Sequence, residues 1–229
     1  MTALSLDLDE TLWRLEGVME AAEHATHAYL LTHCPTLAAA YPPERMRTLR
    51  GEIAEANPNL RHDVTALRAR TFEHAARSVG APPGIAERAY QVFIEARHRV
   101  DFYPDALPLL EELHHRLPLV ALTNGNADIH RLALGRYFVA SLSAVHVGAA
   151  KPERAMFEAA ARSAGIPMEQ LIHVGDDPFT DVVGAARHGL RAVWLNRAGA
   201  PWPADATPVV HEEIRSLNEL PSLLALTQT

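Results

Sequence analysis

The sequence predicts an α/β fold: a doubly wound parallel sheet with an all-helical domain inserted near its start. Three observations carry this expectation. Short apolar runs ending in polar residues alternate with stretches of helical periodicity. Residues 14–102 break that alternation and are helical throughout. The polar residues cluster at the ends of the apolar runs, where open parallel sheets hold their ligands. The expected core comprises residues 1–13 and 103–229, and the expected helical domain residues 14–102.

The first strand is the run "ALSLDLD", which closes on Asp7 and Asp9. Strand side chains alternate faces, so two carboxylates two residues apart point the same way. Like charges that close repel unless a cation or a division of chemical labour uses them. Four helical stretches follow, beginning "RLEGVMEAAEHATHAYLLTH", and Pro42-Pro43 and Pro82-Pro83 punctuate them. A helical module of this kind, seated over strand ends, would form a lid. Further strands are expected in "PLVALTNGN" (118–126), "SAVHVGAAK" (143–151), "LIHVGDD" (171–177) and "RAVWLN" (191–196), with a last one in "VVHEEI". Helices are expected in "DALPLLEELHHRL", "ADIHRLALGRYF", "PERAMFEAAARSAG" and "FTDVVGAARHGL" between them. Pro152 stands near the start of the third and Gly165 at its stop, and Gly189 ends the fourth.

Composition excludes several classes of function. With 229 residues and 48% hydrophobic content the chain can bury a sizeable core. A net charge of −7 and no run of Lys or Arg argue against a nucleic-acid partner. No apolar run approaches the roughly 20 residues of a membrane span, and no secretory leader pattern opens the sequence. One cysteine, Cys34, precludes an internal disulfide and suits a reducing compartment, so a cytoplasmic location is expected. The expected partner is a small-molecule substrate, and the chain is read as a monomer or homodimer.

Four strand ends carry chemistry. Asp7-Leu8-Asp9-Glu10-Thr11 is the first. Thr123-Asn124-Gly125-Asn126 sets a hydroxyl beside a turn whose N–H groups can cradle an anion. Lys151 is the only lysine in the sequence, among 21 basic residues. Gly175-Asp176-Asp177, followed by Asp181, completes the set. Carboxylates from two strand ends make a hard-oxygen site suited to Mg²⁺ shared with a phosphate. The hydroxyl, the turn and the ammonium supply the complementary phosphate grip.

These motifs, in this order, resemble the haloacid dehalogenase-like superfamily of phosphohydrolases. "DLDET", "LTNGN", "AAKPE" and "GDDPFTD" are similar to its four motifs, and the helical insertion stands where that family's first type of cap occurs. The resemblance implies that Asp7 is the nucleophile that becomes an aspartyl-phosphate. It implies that Asp9 protonates the leaving oxygen and then activates water, and that Thr123, Asn124 and Lys151 bind phosphate. Asp7, the Asp9 backbone carbonyl and Asp176 would bind Mg²⁺, with Asp181 in support. "RHDVTALR" (61–68), "PLVALTNGN", "LGRYF" and "HVGDDPFTDVVGA" look similar to the flavin mononucleotide phosphatases of this superfamily. That implies FMN or a phosphorylated riboflavin precursor as substrate. Pyrimidine nucleotides, phosphoglycolate and sugar phosphates, which similar folds hydrolyse, are the alternatives.

Other residues receive plainer readings. His62 and Asp63 serve either substrate contact or packing at a helix N-terminus. Asp177 reads as an exposed turn acid or a lesser site candidate, Glu10 as a loop carboxylate and Trp13 as core or domain joint. His24, His27, His114 and His115 read as helix-surface residues, because no cysteine or carboxylate completes a zinc set at the right spacing. Dehalogenases of the same superfamily lack the second Asp of the first motif and need no Mg²⁺, so Asp9 and Asp176 argue against that activity. A phospho-receiver would be about half this length without a helical insertion, and a degenerate binder would have lost motif residues.

Overall fold

The computed structural model describes residues 2–224. In chain order, β1 (Ala3–Leu6) and β2 (Trp13–Arg14) precede α1 (Val18–His33), α2 (Pro35–Ala40), α3 (Pro43–Ala56), α4 (Val64–Ser78) and α5 (Ile85–Arg97). Then come β3 (Asp101–Phe102), α6 (Ala106–Leu113), β4 (Leu119–Thr123), β5 (Ala140–Ser143), α7 (Ala144–Val147) and α8 (Arg154–Ala164). The chain continues through β6 (Leu171–Gly175), α9 (Gly184–Arg187), β7 (Arg191–Leu195), β8 (Glu212–Ile214) and α10 (Leu220–Leu223). Two compact units emerge: one joins the described residues up to Arg14 with those from Asp101 onward, and the other is Leu15–Val100. Residues 1 and 225–229, which the sequence reading assigns to the core, lie outside the described residues.

The first unit is built on a six-stranded parallel sheet in the order β5-β4-β1-β6-β7-β8. Every residue of β1, β4 and β6 is buried, as continuous strands covered on both faces must be. The chain steps from β1 outward through β4 to β5, then returns to the other side of β1 with β6. The strand order therefore reverses beside β1, the position where open α/β sheets leave a crevice at their carboxyl ends. Val120, Leu122, Met156, Phe157, Leu171, Val182 and Trp194 belong to one core cluster of this unit. In α8 the buried residues Met156, Phe157, Ala159, Ala160 and Ala161 face the sheet, and Gly165, at φ 69°, stops the helix in the left-handed region glycine tolerates.

The second unit is helical throughout, with Ala22, Leu30, Leu37, Leu49, Phe72 and Phe93 in its core. Its only cysteine, Cys34, is buried there.

Three details depart from the sequence-based expectations. The strand expected over 143–151 is Ala140–Ser143, and the apolar residues after it form α7 instead. Ser143 explains the switch: its side chain accepts from the His146 N–H as an N-cap, and Gly148 at φ 76° ends the turn. The stretch "ADIHRLALGRYF" holds only a short 3₁₀ turn, Gly135–Tyr137, rather than a helix. There the Asp128 carboxylate accepts the His130 N–H, and Ala133 adopts a positive φ of 56°. Local side-chain bonds and a left-handed residue break the periodicity that the apolar spacing suggested. The antiparallel pair β2–β3 was not anticipated; Trp13 and Phe102 meet across it edge to face at 5.8 Å. Trp13 is fully buried, in keeping with a core residue.

Candidate active site

Asp7 follows β1 directly, its N–H donating to the Val174 carbonyl at 2.9 Å. Thr123 ends β4, Asp176 follows β6, and Asp181 lies in the π-type turn Pro178–Val183 after it. Lys151 precedes α8. Asp7, Lys151, Asp176 and Asp181 converge although they come from three separate segments. Lys151 Nζ lies 2.6 Å from Asp7 Oδ1 and 2.6 Å from Asp181 Oδ1. Carboxylate oxygens of Asp7, Asp176 and Asp181 fall within 4.8 Å of one another.

The electrostatics follow from three carboxylates sharing one ammonium in a buried place. Burial raises the Asp7 carboxyl well above its ordinary range; Lys151 opposes the shift, and Asp181 and Asp176 add to it. Burial, with Asp181 nearby, pushes Asp176 up to about 7. Burial would raise Asp181 too, but Lys151 and His173 outweigh it and hold that carboxylate ionised. Burial likewise works against the charge on Lys151, yet Asp181 and Asp7 keep the ammonium protonated. With all three acids ionised the cluster carries two negative charges in excess of Lys151. A divalent cation would cancel them, and an all-oxygen carboxylate set is the donor chemistry that hard cations select. The residues present therefore fit a divalent metal.

Neighbouring groups fix the cluster. Asn124 Oδ1 accepts the Lys151 N–H at 2.7 Å, and Asn124 Nδ2 donates to the Lys151 carbonyl at 2.9 Å. The Asn124 side chain, expected to bind phosphate, is thus engaged with the Lys151 backbone. Thr123 Oγ1 accepts the Gly125 N–H at 2.9 Å, which forms the turn and leaves the hydroxyl proton to donate. Gly175 admits Asp181, whose Cγ would stand 2.3 Å from a Cβ at that position. Thr11 Oγ1 donates to Asp176 at 3.4 Å, and the Trp194 indole donates to the Asp176 carbonyl at 2.9 Å.

His173 is a member of this network that the sequence reading missed. It is 1% exposed in the middle of β6, and burial holds its imidazole below the ordinary histidine range, so it is neutral. Its Nε2 meets the ionised Asp181 at 2.9 Å and its Nδ1 meets Ser5 Oγ at 2.8 Å. Nε2 therefore carries the proton donated to Asp181, and Ser5 donates to Nδ1. The one available signal was a histidine inside an otherwise apolar strand.

Asp9 stands apart from the carboxylate trio. The Trp13 indole donates to its Oδ1 at 2.8 Å, which holds the carboxylate while leaving it half-buried. Asp177 is the turn acid expected of it, accepting the N–H groups of Phe179 and Thr180. Glu10 accepts the Tyr103 hydroxyl proton at 2.8 Å. In the helical unit, Asp63 is the N-cap of α4 and accepts the Ala66 N–H at 2.7 Å, so helix capping occupies one of its oxygens. His62 is half-buried beside it.

Comparison with known proteins adds the family. The profile of the haloacid dehalogenase-like hydrolases matches residues 1–189. The chain is 35% identical to the Escherichia coli (strain K12) 5-amino-6-(5-phospho-D-ribitylamino)uracil phosphatase YigB, over 98% of this chain and 96% of that protein. It is also 35% identical to a phosphoserine phosphatase of Thermus thermophilus, over 62% of this chain and 59% of that one. Among solved structures, a 2-haloacid dehalogenase from Pseudomonas syringae pv. Tomato DC3000 superposes with a TM-score of 0.91 at 36% identity, covering 98% of both chains.

Proposed function

The chain belongs to the haloacid dehalogenase-like hydrolases and is a phosphoric monoester hydrolase, and we propose that it hydrolyses FMN or a phosphorylated riboflavin precursor. The observation that carries the chemical part of this reading is Lys151 lying 2.6 Å from both Asp7 and Asp181, with Asp176 in the same cluster. A carboxylate attacking a phosphate dianion must have its repulsion cancelled, which Lys151 together with a divalent metal held by the aspartates would do.

Asp7, Asp176 and Asp181 are the residues that would hold the metal, which we assign as Mg²⁺. When bound, it neutralises charge on the phosphate and on Asp7. Thr123 and Lys151 orient the phosphate by donating to its oxygens. An Asp7 oxygen forms the new bond to phosphorus as the ester oxygen leaves, and Asp9 gives that oxygen a proton. Water then attacks phosphorus, Asp9 takes its proton, and the Asp7–phosphate bond breaks. Asp9 thus serves once as acid and once as base, a contribution of roughly 10²- to 10⁴-fold. The indole of Trp13 steadies its carboxylate for both steps. Asn124 and His173 act through others, positioning Lys151 and Asp181 respectively.

The riboflavin-related substrate rests on the likeness to YigB along nearly the whole chain. Every group that handles phosphate belongs to the sheet unit, so we assign discrimination among phosphomonoesters to the helical unit, with His62 the candidate contact. Phosphate release across a panel tests this: FMN, 5-amino-6-(5-phospho-D-ribitylamino)uracil, a pyrimidine nucleotide, phosphoglycolate and sugar phosphates. The first two should give the highest kcat/KM. Preference for another compound would overturn the substrate, and no release from any would overturn the chemistry.

The likeness to a structure described as a 2-haloacid dehalogenase favours a second reading, displacement of halide by Asp7. Asp9 and Asp176 weigh against it, since an ester formed from a haloacid needs neither a proton for its leaving group nor a metal. Halide release from 2-chloropropionate in the presence of EDTA would establish that reading.

A further inference from the structure

Outside the phosphate site, Glu111, His114 and His115 bring one carboxylate oxygen and two imidazole nitrogens within 4.8 Å of one another. We propose that these three residues, at the end of α6, form a second divalent-metal site of the sheet unit, selective for a late first-row ion such as Zn²⁺. By sequence spacing alone the His114–His115 pair lacks a carboxylate to complete a zinc set. Glu111 supplies it. Positions i, i+3 and i+4 share one helix face, which brings Glu111 beside both histidines as α6 closes.

Two of the three side chains are oriented through the atom a metal would not use. His114 Nδ1 donates to the Leu110 carbonyl at 2.9 Å, which fixes the tautomer and leaves the Nε2 lone pair outward. Both hydrogen bonds to Glu111 found among the described residues, from Tyr137 Oη at 2.9 Å and Arg136 at 3.4 Å, fall on Oε2 and leave Oε1 to face a cation. Metal-ligating histidines and carboxylates are held in this way by an outer ring of hydrogen bonds. Tyr137 is buried and also packs edge to face on the His114 ring at 5.2 Å. His115 lies against the same ring, with centroids 3.5 Å apart. A tetrahedral zinc with bonds of about 2.0–2.1 Å separates its ligands by about 3.3 Å, inside the 4.8 Å that encloses these three atoms.

The donor set decides the ion. Two imidazoles and one carboxylate suit Zn²⁺, Ni²⁺ or Cu²⁺, whereas Mg²⁺ prefers oxygen ligands and water. The two clusters thus sort metals by chemistry, hard ions to the aspartates and nitrogen-seeking ions to α6. Arg136 beside Glu111 opposes the cation, and the open fourth position faces solvent, so binding is reversible.

Equilibrium dialysis of the full chain against Zn²⁺, with excess Mg²⁺ present, tests the site. The wild type should retain one more zinc per chain than the double variant His114→Ala/His115→Ala. Hydrolysis of p-nitrophenyl phosphate with Mg²⁺ should be the same for both. Tyr137→Phe, which keeps the ring and removes the bond to Glu111, should weaken that zinc about 10-fold. Equal zinc content and affinity in all three proteins would overturn the site. A visible Co²⁺ spectrum that does not change between wild type and double variant would overturn it independently.

Discussion

The Asn124 side chain and the Lys151 backbone exchange two hydrogen bonds, one in each direction. That reciprocal clamp joins the end of β4 to the residue before α8 and fixes where the sole lysine begins. Asn124→Ala removes both bonds and should cost about 1–3 kcal/mol of transition-state stabilisation, roughly 5- to 150-fold in kcat/KM. Asn124→Asp keeps the acceptor but not the donor and should fall between. Steady-state kinetics with p-nitrophenyl phosphate, alongside thermal melts, measure this. Unchanged kcat/KM in Asn124→Ala would mean that Lys151 is positioned by other contacts.

Asp7→Asn should abolish turnover while the fold survives, because asparagine keeps the volume and loses the nucleophilic charge. Asp9→Asn should differ in kind. Its carboxylate stands outside the Asp7–Asp176–Asp181 group, so metal affinity should hold while turnover drops roughly 10²- to 10⁴-fold. Calorimetric Mg²⁺ titration of each variant, set beside its rate, separates the two roles. A large loss of Mg²⁺ affinity in Asp9→Asn would contradict the division of labour.

Chelation should silence the enzyme and Mg²⁺ should restore it, since the aspartate cluster otherwise presents excess negative charge to a phosphate. Ca²⁺ should inhibit, because its larger and looser coordination sphere lets Asp7 bind through both oxygens and dulls its attack. Rates after EDTA treatment, dialysis and re-addition of each ion provide the check. Full activity in the dialysed enzyme would refute metal dependence.

Asp105 is buried and accepts from both terminal nitrogens of Arg197 at 2.9 Å, from Ser216 Oγ at 2.7 Å and from the Leu217 N–H at 2.9 Å. Burial alone would raise its pKa, but these donors, Arg197 foremost, hold it below the ordinary value. A carboxyl depressed in the folded state contributes stability above its unfolded pKa and loses it as pH falls through the folded value. Asp105→Asn should therefore cost about 3 kcal/mol near neutrality. The gap from wild type should narrow below about pH 4, where the unfolded carboxyl takes up its proton. Urea melts at neutral and acidic pH test the sign; a gap that widens in acid would reverse it.

Asp63→Ala should lower stability by about 1 kcal/mol through loss of the α4 cap, with equal effects on FMN and p-nitrophenyl phosphate. His62→Ala should instead lower kcat/KM for FMN about 5-fold or more relative to p-nitrophenyl phosphate, the loss of one hydrogen bond of about 1 kcal/mol or above. Kinetics on both substrates for both variants distinguish the two residues. An FMN-selective loss in Asp63→Ala alone would exchange their roles.

What could be read from the sequence was what depends on chain order. Asp7, Thr123 and Asp176 each sit at or just beyond a strand, and a parallel sheet gathers such ends whatever its side chains do; Lys151 instead arrives after α7, eight residues past the end of β5. What could not be read depends on partners distant in sequence. Nothing near Asn124 announces that its amide faces a backbone 27 residues away. Nothing in "LIHVG" says that His173 is neutral between Ser5 and Asp181. The stretch after Asn126 failed differently, because Ala133 at positive φ has no signature in residue type. Glu111 escaped notice because a carboxylate one helical turn away counts as a ligand only once the rings of His114 and His115 are seen to meet.

The sole lysine of this chain is 3% exposed. Arginine and histidine thus carry every other basic side chain, and no lysine amine is offered to the solvent of the folded molecule. Reagents that acylate primary amines will find Nζ only when the cluster around it opens. The extent of labelling at Lys151 then counts open molecules, giving the protein an internal clock for the breathing of its own catalytic centre.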